Sequence, residues 1–137
     1  MNHSSHDSLS DLIKVSKNDH EKRIDIYVSG TLQRDDVVAL LDEVKKLQPQ
    51  QQVYTRLYDF SEVDIEVSVQ EFEGILSHAQ KLFKVPGVVY KAAFVTSDPF
   101  VRQLAELYKS ASRPYGFNDI ECFASRRAAL NWLNEQL

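Results

Sequence analysis

At 137 residues the chain has the size of one domain with a single buried core. Hydrophobic residues make up 43% and charged residues 26%, the balance of a globular domain, which argues against bulk disorder. A formal net charge of -4 argues against a nucleic-acid binder working through phosphate neutralisation, and the single cysteine, Cys122, excludes an internal disulfide and any multi-cysteine zinc site.

The first residues, Met1 to Ser8, have neither the basic start nor the apolar segment of a secretory signal. No apolar run approaches the roughly 18 residues of a membrane span. Residues 1–10 are expected to be a polar tail, 11–137 a single domain, and the cytoplasm the location.

Asp11 to Lys17 is a strand candidate, followed by turn chemistry in Asn18-Asp19-His20-Glu21. From Arg23 to Ser29, Ile24, Ile26 and Val28 alternate with Asp25, Tyr27 and Ser29, so this strand is half-buried and pairs with the first as a hairpin. Gln33 to Leu47 carries a helical stripe of Val37, Leu40, Leu41, Val44 and Leu47, with Asp35 and Asp36 at its positive end. Val53 to Phe60 is the next strand, and Ser61 to Val67 a polar loop.

Ser68-Val69-Gln70-Glu71 has the form of a capping box opening a helix to Phe83. Pro86 and Gly87 make a turn. Val88 to Thr96 is nearly continuously apolar, as in a central strand covered on both faces. Asp98 and Pro99 start a helix to about Ser112, the first as N-cap and the second at the first helical position. Asp119 to Phe123 is a short strand, and Ser125 caps a last helix. The order ββαβαβαβα predicts an α/β domain: a mixed, mostly parallel sheet of about five strands with four helices and right-handed crossovers.

In an open α/β sheet, ligands gather beyond the carboxyl ends of the strands. Asp59, Ser61, Ser97 and Asp98 fall there, and Ser68 stands at a helix start, where anions are favoured. The same residue types are needed merely to cap helices, and that explanation weighs more. No Gly-x-Ser-x-Gly, Walker sequence or glycine-rich phosphate loop occurs. His78 has no acid or nucleophile at a telling spacing. Glu62, Asp64 and Glu66 alternate with Val63, Ile65 and Val67, which suggests an extended segment with a solvated edge rather than a cation site. No catalytic residue, metal or cofactor is therefore expected.

Four stretches carry a family resemblance: Gly30-Thr31-Leu32 before an acidic helix start; Leu57-Tyr58-Asp59-Phe60-Ser61-Glu62-Val63; Ala92-Ala93-Phe94-Val95; and Phe123-Ala124-Ser125 followed by Ala128-Ala129 and Trp132-Leu133. In these, over residues 11–136, the chain resembles the SpoIIAA-like branch of the STAS superfamily, grouped with Sec14-like domains. In STAS antagonists the corresponding loop reads Asp-x-Ser-Gly-Val, then Asp-Ser-Ser-Gly with the first of these serines phosphorylated by a partner kinase. Asp59-Phe60-Ser61-Glu62-Val63 follows the first part without its glycine. Ser68 falls on the phosphorylated serine, with Val67, Val69 and Gln70 in place of the Asp, second Ser and Gly.

The resemblance implies a non-enzymatic regulatory or protein-interaction domain with a protein partner. Its working surface would be the loop 59–68 and the following helix, and Ser68 the modification site. A homodimer is compatible with it. The Sec14-like comparison implies the alternative: a small-molecule or lipid-binding module, its ligand a small anion or a lipid held between helices 68–83 and 98–112, near Phe72, Phe83, Phe100, Leu104 and Tyr108.

Overall fold

The computed structural model describes residues 12–49, 52–83, 88–112 and 118–135. The expected tail and the turns at Pro86-Gly87 and after Ser112 lie outside them. Five strands and four helices follow one another: β1 (Ile13–Asn18), β2 (Arg23–Leu32), α1 (Arg34–Leu47), β3 (Thr55–Ile65), α2 (Val69–Phe83), β4 (Tyr90–Val95), α3 (Pro99–Ser112), β5 (Asn118–Phe123) and α4 (Arg126–Leu133). This is the predicted ββαβαβαβα order.

The sheet order is β1-β2-β3-β4-β5. β1 pairs antiparallel with β2 at one edge, and every other pair is parallel. Because strand order follows chain order, the sheet has no reversal point of the kind that opens a ligand crevice in doubly wound folds. No helix among the described residues is long and apolar enough to cross a membrane.

The main core lies on one sheet face, where Ile24, Ile26, Val28, Tyr58, Phe60, Ala92, Phe94 and Ile120 meet Leu40, Leu41 and Val44 of α1, Ile75, Ala79 and Phe83 of α2, and Val101 and Ala105 of α3. A smaller core on the other face joins Leu57, Ala93 and Val95 to Ala129 and Leu133 of α4. β4 feeds both cores with alternate side chains, so it is buried on both faces as its apolar run predicts.

One boundary differs from the sequence expectation. Ser61 to Ile65 is not loop but the continuation of β3, with Glu62 to Ile65 paired to Ser29 to Leu32 of β2. The register with β2 slips by one residue between Tyr27 and Ser29, so β3 carries an extra residue near Phe60 and Ser61. A one-residue slip inverts the side-chain alternation. Phe60 and Val63 therefore both enter the main core, while Glu62 and Asp64 stay exposed. The extended segment expected of the alternating acids is what forms, as strand rather than loop.

Gly30 sits opposite this bulge with φ +77. The left-handed backbone is what calls for glycine; a Cβ there would meet only the mobile tip of the Leu12 side chain at 2.9 Å.

Candidate functional site

The polar candidates at the strand ends are held by one another. Asp59 Oδ1 accepts from the Ser61 hydroxyl at 2.6 Å and from the Ser61 amide at 3.2 Å. Its Oδ2 lies 3.7 Å from Arg126 Nη1 at the start of α4. Asp98 accepts from the Phe100 amide at 2.9 Å, and the Asp98 amide donates to Thr96 Oγ1 at 3.1 Å. Ser97 beside it is exposed.

Ser68 is exposed and caps α2. Its hydroxyl accepts from the Glu71 amide at 3.0 Å, and the Glu71 carboxylate accepts from the Ser68 amide at 2.9 Å, closing the capping box.

Asp59 and Ser61 form one pair beside α4, and Ser97 and Asp98 form another at the start of α3. Asp59 pairs with Val95 across β3 and β4, so these two groups lie at the same end of neighbouring strands. Ser68 follows the extended end of β3, and the strand from Asp59 to Ile65 alone spans about 20 Å at the usual rise. Among the described residues, no group of three or more His, Cys, Asp or Glu side chains is placed to hold a metal ion.

What the fold does assemble is apolar. Beneath α2, between it and the sheet, lies a cavity of ≈ 80 Å³. Leu40 of α1, Phe60 and Phe94 of the sheet, Ile75 and Ala79 of α2, and Leu104 of α3 are among its lining, and every lining side chain is aliphatic or aromatic. Phe72, Leu104 and Tyr108 of the sequence candidates line it. Phe100 does not and is largely exposed, and Phe83 instead covers an arginine.

The cavity exists because of how α2 is seated. The backbone of α1 approaches β1 and β2, and that of α3 approaches β5 and β3, whereas α2 approaches α1 and α3 more than any strand. Aromatic rings fill the sheet face below it: Tyr58 stacks on Phe94 at 4.5 Å between centroids, and Phe60 meets both edge-on. Ala79 of α2 puts only a methyl group over this aromatic face, and the gap between them stays unfilled. His78 of α2 lies 2.7 Å from Asp42 of α1 and ties the two helices together. Sequence spacing missed this acid because the pair is 36 residues apart on separate helices.

At one end of the cavity Tyr58 is wholly buried. Burial pushes its pKa up, and the Arg56 side chain beside its hydroxyl opposes part of that rise. Arg56 is 1% exposed and is gripped by two rings, Phe83 at 4.1 Å and Tyr90 at 4.2 Å from the guanidinium carbon. Its Nε and Nη2 are buried with no hydrogen-bond partner. Its charge alone reads as an outward position, although strand alternation puts it on the face of Tyr54, Tyr58 and Phe60.

Cys122 is half-buried in the edge strand β5. Burial, then the nearby Glu106, push its thiol pKa up, so it is held in the unreactive thiol form.

The search of curated proteins finds no match. Among solved structures, the chain is similar to an uncharacterized protein with a SpoIIAA-like fold from Shewanella loihica, with 15% sequence identity and a TM-score of 0.55 over 88% of this chain and 91% of that one. At that identity the likeness is one of fold. The SpoIIAA-like family profile matches residues 23–134, from the start of β2 to the end of α4. The chain therefore belongs to the SpoIIAA-like family.

Proposed function

We propose that this chain is a non-enzymatic STAS-like binding module whose ligand is a small apolar molecule or lipid tail held beneath α2. The observation that carries this reading is the wholly apolar cavity between the aromatic sheet face and the three helices packed on it. The pocket is partly open and its lining offers water no hydrogen-bond partner, so an apolar guest displaces only poorly held water from it. At ≈ 80 Å³ it is about half the size of a void that takes benzene, so a longer chain requires α2 to lift. Nile red titrated into the purified protein and native mass spectrometry test the reading. A bound apolar mass, or saturable dye binding competed by aliphatic alcohols, is expected. A clean apo mass together with no saturable dye binding rejects it.

A second reading, a protein-interaction domain working through residues 59–68 and α2, has separate support. Ser68 is exposed at the amino end of a helix, where a phosphate would be electrostatically favoured, and Val69 beside it is 75% exposed. Its predicted partner is another protein, as in STAS antagonists. A pull-down in which Asp59→Ala, Ser61→Ala and Ser68→Ala together retain every captured partner rejects it.

A further inference from the structure

We propose that the ligand of the apolar cavity carries an acid group, and that the Arg56 side chain is its receptor. This rests on the cavity reading above and adds the chemistry of the ligand's polar end. Nε and Nη2 form the side-on edge of a guanidinium, the pair of parallel donors that matches a carboxylate. In Arg56 both are buried without a partner, and none of the ion pairs among the described residues includes Arg56. Arg23, the other buried arginine among the described residues, shows the contrast: its Nε donates to Asp25 at 2.7 Å. A buried cation with its strongest donor edge unused calls for an anion. Phe83 and Tyr90 turn their ring faces to the guanidinium carbon with their planes 68° apart, and the two donor nitrogens remain without an acceptor.

The position fits a single amphiphilic molecule. Tyr58 lines the cavity with its ring and places its hydroxyl beside Arg56. Ala79 of α2 lies over the cavity, and Phe83, one turn further along the same helix, lies over Arg56. Apolar space and buried guanidinium thus follow one another under one helix, one turn or roughly 6 Å apart. The donor edge has no access to solvent, so the acid reaches it when α2 lifts, the same movement that admits a tail.

Octanoate and octanol share a tail and differ in the head, so they separate the two claims. Calorimetric titration of the wild-type chain is expected to give octanoate roughly tenfold or more tighter than octanol, the gain of a bidentate charged contact. Arg56→Met is expected to bring that ratio to about one while octanol binding stays within about threefold. If neither compound binds, the cavity reading itself fails. If both bind equally to wild type, or the ratio survives Arg56→Met, the acid receptor is refuted and the cavity reading stands. Should Arg56→Met not fold, carboxyl-labelled octanoate bound to wild type decides by NMR. A signal that stays ionised below the free acid's titration supports the guanidinium contact, and one that titrates as free acid or higher refutes it.

Discussion

Ala79→Leu tests the cavity most directly. Ala79 is buried on α2 and lines the void. Leucine adds three carbons, and leucine is nearly as good a helix former as alanine. Filling ≈ 80 Å³ at about 24 cal/mol per Å³ is worth roughly 2 kcal/mol. The void is not shaped for that side chain, and misfit costs begin near 1 kcal/mol. A net gain of about 1 kcal/mol remains, a rise in Tm of about 3 °C for a chain of this size. Urea unfolding reads the stability, and Nile red titration reads the site, where affinity is expected to fall at least about tenfold. Ala129→Leu is the control, because Ala129 is fully buried between α4 and the sheet in the opposite core and does not line this cavity. There the added carbons are expected to cost about 1–3 kcal/mol. If Ala79→Leu destabilises as much as Ala129→Leu, the void is not open at that position. If dye binding is unchanged, the dye sits elsewhere.

Ser68→Ala removes one half of the capping box and is expected to cost about 1 kcal/mol in urea unfolding, whereas Ser68→Asp, also a good cap, should cost much less; equal losses for both would show that the hydroxyl does not cap. Gly30→Ala forces a side chain into the left-handed region, so a loss of about 1–2 kcal/mol is expected, and an unchanged unfolding midpoint would contradict that backbone conformation. Three tyrosines have raised pKa values: Tyr27 through its hydrogen bond to Glu62, Tyr54 through its hydrogen bond to Asp19, and Tyr58 through burial. Their folded phenols hold protons that the unfolded chain gives up at about pH 10, so their contribution to stability is complete below that value and is lost as pH rises through the folded values. Tyrosinate absorbance should lag behind free tyrosine and end together with loss of the circular dichroism signal; complete ionisation near pH 10 with the fold intact would contradict it.

The layered α/β order is readable in the chain because each element states its period locally. Ile24, Ile26 and Val28 alternate, Val37 to Leu47 repeats at helical spacing, and Ser68, Asp98 and Ser125 are caps that hydrogen-bond as their positions predict. The capping explanation of the polar strand ends was equally legible, since each cap needs only three or four consecutive residues. The extension of β3 was half legible. Val63 and Ile65 alternate with acids as a strand does, but the bulge puts them out of phase with Leu57 and Phe60. A reader keeping one phase sees the pattern break at Ser61 and places a loop there.

The cavity and the buried guanidinium were not legible, for a different reason. A void is the shape left over when side chains from α1, β3, α2, β4 and α3 meet, and no segment encodes it alone. Arg56 looks outward in sequence because its charge suggests solvent, yet strand parity puts position 56 on the same face as Tyr54, Tyr58 and Phe60, all of them buried. Parity and polarity conflict at that one position of β3. Where a sequence keeps such a conflict inside a core, structural need gives a poor account of it, because a methionine would fill the same space between Phe83 and Tyr90 without a charge to desolvate. The two rings return roughly 2 kcal/mol each through their faces, but they leave the donor edge unsatisfied, and it is that remainder which points to an acid rather than to packing.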